Sequence, residues 1–465
     1  MTLSATSLPV LLMLPWAALW WLGGFGLARA IFHVEPDEEW LVATALGWVA
    51  QIWLANLAAR VLPMPLAFWV SAAAIFLAGA LALALTGEWR TAWRVKIPLL
   101  PCLIFAAITL VFYEISRGMA IFDDFQHLAT ISLIAAGDFP PRFALDPAVI
   151  FGYHHFLQLF AAQVVRVGSL FPWIAVDIGR SLSFGLAVML SAAFARRLTG
   201  STLAGILGGV MVAFGSGTRW LLLLLPPGLL AALSPSVHLI GSGAGSGATL
   251  SEALLNTWAV EGAGPLPFPF AFANGIFPPG VIQAHTANGL IPFVIIFLLL
   301  LTFDRWRNWG GAVLSAVLVS VWGLLGEAEL PGILLGWGLV VVAYGLRCRS
   351  LRLPRSLWVW LSVIVAGSII GCLEGGALTD ILTKALEKLS GAPPSPSYQT
   401  VGFALSWPPA VVSSHLGVLS LSNPAQAVVA LLELGPVLLI LPLALGWGWR
   451  ALRAQRWYEA ATAAT

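Results

Sequence analysis

"MPLAFWVSAAAIFLAGALALALT", Met64 to Thr86, contains no ionisable side chain. As a helix it would rise about 35 Å at ~1.5 Å per residue, enough to cross the ~30 Å hydrocarbon core of a bilayer. Similar apolar runs fall near 8–30, 41–60, 98–116, 149–171, 173–195, 202–225, 287–303, 311–326, 331–346, 356–373 and 426–448. Composition agrees. Of 465 residues, 59% are hydrophobic and 9% charged, against about 25% charged in soluble domains. The mean hydropathy is +0.91. The sequence predicts an all-α, polytopic membrane protein of about 11–13 transmembrane helices.

Other bulk features fit this class. The 22 Trp suit aromatic belts at both membrane interfaces, with Trp306 and Trp309 in "DRWRNW" as examples. A net charge of +2 gives no reason to expect nucleic acid. Cys102, Cys348 and Cys372 lie far apart with no CxxC spacing, so free thiols are expected. The opening segment lacks a basic flank and its apolar run is too long for a signal peptide, so it reads as a first membrane helix.

The chain divides into N-terminal transmembrane helices (1–97), a core with a large loop at 117–148 (98–225), and further helices with long loops at 226–286 and 374–425 (226–465). Lys and Arg set the orientation. Short loops carry Arg90, Arg94 and Lys96, then Arg196 and Arg197, Arg305 and Arg307, Arg347 to Arg355, and Arg450 to Arg456. These loops are expected to be cytoplasmic and the three long loops extracytoplasmic, in a multi-pass cell-membrane protein. Two full spans between 149 and 195 would put Arg196 on the wrong side. One of those helices is therefore expected to be re-entrant or to lie along the interface. "LLLLLPPGLL" and "FPFAFANGIFPP" are too apolar for free solvent loops, so the long outer loops are expected to fold over the outer face.

Between Phe122 and His155 the chain gathers four acids, one Arg and three His. Asp123 and Asp124 precede His127 by four and three residues, so a helix would bring them together. Gly137 and Pro140–Pro141 stop that helix. "FGYHH" then returns His154 and His155 to the membrane boundary. Glu327 and Glu329 in "GEAELPG" and His285 in "QAHTANG" fall on the same expected face. The plain reading of any one acid is a helix cap or surface ion pair. The adjacent Asp pair with three His favours a functional layer, because ionisable groups at a membrane edge are costly unless paired or used.

"MAIFDDFQHLATISLIAAGDFPPRF", continued by "VIFGYHHFLQLFAAQVVRVGSLFPWIAVDIGRSLSFGLAVMLSAAFARRLTGS", resembles the GT-C superfamily of membrane glycosyltransferases, which use polyprenyl-phosphate sugars. The resemblance covers about 98–220. It implies transfer of a sugar from a lipid-linked donor to an acceptor, here unidentified, at the extracytoplasmic face. It further implies Asp123 or Asp124 as base, with His127, His154, His155, His285 and Glu327 in support. Arg117, Arg142 and Arg219 are candidate phosphate contacts by side and charge. Some members hold a divalent metal, which implies Mg or Mn at Asp124, His127 and His154. The alternative is a non-catalytic GT-C-like subunit packed with membrane-protein partners. A transporter is disfavoured: no pair of interrupted helices recurs in the two halves.

Overall fold

The computed structural model describes residues 7–90, 97–117, 124–152, 155–215, 222, 224–237, 281, 284–303, 305–325, 329–349, 352–393, 395–396, 407–408, 410–413 and 417–464. The helices are α1 (Ser7–Ile31), α2 (Glu39–Ala58), α3 (Leu66–Thr86), α4 (Leu99–Ser116), α5 (Asp124–Ala136), α6 (Phe156–Gly168), α7 (Pro172–Thr199), α8 (Thr202–Phe214) and α9 (Pro227–Leu233). They continue with α10 (Ile291–Thr302), α11 (Gly310–Leu325), α12 (Glu329–Cys348), α13 (Arg355–Gly371), α14 (Ala377–Ser390), α15 (Pro424–Leu434), α16 (Val437–Arg453) and α17 (Trp457–Ala464). Two short antiparallel hairpins add to the expected all-α architecture: β1 (Arg142–Phe143) with β2 (Asp146–Ile150), and β3 (Ala410–Ser413) with β4 (Gly417–Ser420).

Among the described residues, six helices are long and apolar enough to cross a membrane: α1, α2, α3, α4, α7 and α12. Counting α15 and α16, bent by 82°, as one broken span gives seven. Among the described residues, length and composition therefore support fewer crossings than the roughly 11–13 expected. The described residues also include the shorter apolar helices α10, α11 and α13, of 12, 16 and 17 residues.

Small residues let α1, α2 and α3 approach closely. A Cβ on Gly47 would collide with the Trp20 carbonyl, one on Gly24 with the Ala43 carbonyl, and one on Gly79 with the Gly23 carbonyl. Lipid tails are as apolar as Leu, so helices associate in a membrane through such close packing rather than through the hydrophobic effect.

One face gathers the basic loops. Arg29 pairs with Glu39 at 3.6 Å, Arg305 with Glu35 at 2.8 Å and Arg307 with Glu88 at 2.5 Å. Arg196 binds Asp37, and Arg197 binds Glu38 and, at 2.6 Å, the Leu301 carbonyl. Arg347 donates to the Arg453 carbonyl at 2.9 Å, and the Tyr344 hydroxyl to that of Arg352 at 2.9 Å. Among the described residues these basic loops share one face; Arg94 and Lys96, predicted to join them, lie outside the described residues.

The opposite face explains how Arg196 reaches the basic side. The residue capping the start of α6, His155, bonds Asn56 near the end of α2. A Cβ on its last residue, Gly168, would strike Met13 near the start of α1. Both partners lie on the face opposite the basic loops. α6 therefore begins and ends at one face and does not cross. Its Phe160 packs 5.4 Å from Trp48 and 6.1 Å from Trp16. α7 then crosses alone and delivers Arg196 and Arg197 to the basic face.

Parts of the two long loops pack on each other. Leu233 and Val237 from one and Leu419 from the other share a small core with Val429 and Ala430. Gln426 donates to the Ser236 carbonyl.

Candidate functional site

The start of α6 sits in a buried polar layer, and the chain's turns put it there. Gly137, with φ at 109°, ends α5 in a conformation that suits glycine. The β1–β2 hairpin follows, closed by the Phe151 amide on the Pro141 carbonyl at 2.7 Å. The chain thus turns back to place His155, fully buried, at the head of α6.

Around His155 the hydrogen bonds have a defined polarity. Asn56 Nδ2 donates to the Glu374 backbone carbonyl at 3.0 Å. The amide oxygen of Asn56 therefore faces His155 Nε2 at 3.1 Å. That oxygen only accepts, so Nε2 carries a proton. Arg60 also donates to the Glu374 carbonyl, and its guanidinium lies 5.7 Å from the Phe139 ring, which in turn lies 6.2 Å from the His155 ring.

The Glu374 side chain is 1% exposed. Its Oε1 accepts from Trp53 Nε1 and, at 2.7 Å, from Ser320 Oγ. Its Oε2 has no hydrogen-bond partner among the described residues. Glu374 lies in the turn after α13, outside the helix. Burial pushes its carboxyl above the usual value, opposed by the hydrogen bonds from Ser320 and Trp53 and by the Arg60 charge.

A second buried cluster lies across α6. Arg180 and Asp177, on α7, are 1% and 5% exposed and approach to 4.0 Å. Arg180 donates to the His285 carbonyl at 2.7 Å. His285 Nδ1 faces the Val281 carbonyl at 2.6 Å, so Nδ1 carries a proton. Phe112 lies 5.3 Å from the His285 ring and stacks on Phe184 at 4.1 Å. Asn288 donates to the Leu325 carbonyl at the end of α11. Leu157, in the first turn of α6, fills the space against Gly179 and Gly289 and so separates the two clusters.

An apolar groove of about 710 Å³ runs between α4, α7 and α8. One end reaches Asp37, Glu38 and Arg196 at the basic face, and the other reaches Phe112 and Ile115, beside His285.

The predicted residues are distributed unevenly over these features. Asp123, His154, Arg219 and Glu327 lie outside the described residues. Asp124 is the first residue of α5, and His127, one turn on, is buried. His155 and His285 head the two clusters. Arg117 pairs with Glu114 at 3.1 Å, and Arg142 with Asp138 at 3.7 Å and the Pro147 carbonyl at 3.1 Å. Both arginines are more than half exposed, away from the buried layer. Among the described residues no group of three or more His, Cys, Asp and Glu converges on one point.

Sequence reasoning missed Asp177, Arg180, Asn56 and Glu374. The first two carried a signal: they are the only charged residues within the apolar run 173–195. Asn56 and Glu374 are single polar residues whose partners lie far along the chain.

No protein-family model, no curated protein and no solved structure matches the chain.

Proposed function

We propose that the chain is a GT-C-type membrane glycosyltransferase that moves a sugar from a polyprenyl-phosphate donor to an acceptor at the extracytoplasmic face. The observation that carries this reading is the apolar groove along α4, whose far end meets the buried polar layer at Phe112 and His285. From Pro101 to Ile115 it runs about 21 Å at ~1.5 Å per residue, more than half the ~30 Å hydrocarbon core. A donor tail would lie in it, with the phosphate at the end nearest Arg180 and His285.

Asp123 or Asp124 would take the proton from the acceptor hydroxyl. That oxygen would attack the anomeric carbon from the side opposite the phosphate. The bond from that carbon to the phosphate oxygen would break, and the polyprenyl phosphate would leave with the electron pair, inverting the centre. Arg180, with Arg117, Arg142 and Arg219 as further candidates, would balance the leaving charge. His127, His155, His285 and Glu327 would orient the reacting groups. Asp124 and His127, three apart on the first turn of α5, fit by spacing a shared Mg or Mn ion completed by His154. Such an ion would supply positive charge beside the departing phosphate.

The test is sugar transfer by purified protein in nanodiscs. Asp123→Asn or Asp124→Asn should lower turnover about a hundredfold or more without changing the thermal midpoint. Full activity in both variants removes the base assignment. No transfer by the wild type across a panel of donors gives way to the non-catalytic subunit.

A further inference from the structure

The basic face carries a second cavity, of about 540 Å³, between the start of α11 and the start of α13. Its walls include Trp306, Arg307, Trp309, Arg355 and Trp360. We propose that this cavity binds the phosphate headgroup of an anionic glycerophospholipid.

Charge comes first. Arg307 is already engaged: it pairs with Glu88 at 2.5 Å and donates Nε to the Phe32 carbonyl at 3.0 Å. Arg355 has no hydrogen-bond or ion-pair partner among the described residues and is exposed at the first position of α13. It therefore adds an uncompensated positive charge to the cavity, and the positive end of the helix dipole adds to it. A phosphate oxygen accepts charge-assisted hydrogen bonds from a guanidinium.

The walls favour a lipid over a soluble anion. Trp360 stacks on Phe303 at 3.9 Å and lies 5.6 Å from Trp306, so the cavity is flanked by indole rings of the kind that lie at headgroup depth. Beside it, Trp309 is 74% and Val313 63% exposed, one helical turn apart. That apolar strip is where acyl chains would lie once the phosphate is seated. Basic pockets between membrane helices attract anionic headgroups in this way.

The experiment titrates the detergent-solubilised full chain with dioleoyl phosphatidylglycerol, dioleoyl phosphatidylcholine and inorganic phosphate, and reads bound lipid by native mass spectrometry. Phosphatidylglycerol should be retained about fivefold or more over phosphatidylcholine. Arg355→Gln should abolish that preference. Arg453→Gln, on the same face but outside the cavity, should keep it. Equal retention of the two lipids, or an undiminished preference in Arg355→Gln, overturns the proposal. Displacement of phosphatidylglycerol by millimolar inorganic phosphate would assign the cavity to a soluble anion and overturn it too.

Discussion

Glu374 ties α2 and α11 to the turn after α13 through two different oxygens. Its backbone carbonyl takes donors from Asn56 and Arg60 at the end of α2, and its carboxyl takes donors from Trp53 of α2 and Ser320 of α11. Asn56→Leu removes one of the two donors to the Glu374 carbonyl and the acceptor that faces His155 Nε2, and should cost about 1–3 kcal/mol, read as a lower thermal midpoint in detergent. The Glu374 carboxyl gives a pH signature. Its native pKa lies above the ordinary 4.5 because burial disfavours the charged form. The native state therefore holds the proton more tightly than the unfolded chain. The stability this gives is complete below 4.5 and is lost as pH rises through the native value. Glu374→Gln has no proton to lose, so its thermal midpoint should lack that decline. Parallel midpoint curves for the two proteins between acid and neutral pH would refute the assignment. None of this was legible in "GCLEGGALTD", because the partners that give Glu374 its meaning are more than 50 positions away at Ser320 and more than 300 at Trp53 and Asn56.

The α1–α3 packing and the non-crossing of α6 arise from local sequence in different ways. Apolar length reveals α3, since no other secondary structure would hide so many uncharged residues in lipid. It fails at 149–171, which hydropathy reads as one span. The chain spends its beginning on β2, and only 13 residues remain for α6. Charge bookkeeping on Arg196 was the signal that one helix in this region does not cross, and the contacts of His155 and Gly168 identify it. Close packing was not visible at all, because glycines are scattered through most of the apolar segments and only tertiary contact shows which ones matter. Gly47 is one of them: its Cβ position is occupied by the Trp20 backbone, which cannot rotate away. Gly47→Val should destabilise by about 1–3 kcal/mol or more through overpacking. Gly446→Val, on α16 with nothing within 4 Å, should leave the thermal midpoint nearly unchanged. Equal midpoints for the two variants would remove the close-packing argument for α1–α2.

The whole molecule has two chemically distinct faces, and the positive-inside rule converts them into an orientation. Arg196, Arg197, Arg305, Arg307, Arg347 and Arg453 lie on one face with the acids that partly neutralise them, and Glu374, His155 and α14 on the other. The basic face should be cytoplasmic. The end of α1 carries Arg29 to that face, and its start abuts Gly168 on the opposite one. With the basic face cytoplasmic, the start of α1 would lie on the extracytoplasmic side. The three cysteines are free, so each is replaced by Ser before single cysteines are introduced at exposed sites. Lys388→Cys, on α14, should react with a membrane-impermeant maleimide in intact cells. Arg352→Cys, between α12 and α13, should react only after permeabilisation. The reverse pattern would invert the molecule. The buried polar layer would then face the cytoplasm, the donor phosphate would have to be presented from that side, and the extracytoplasmic transfer reaction would fall with the orientation that motivates it.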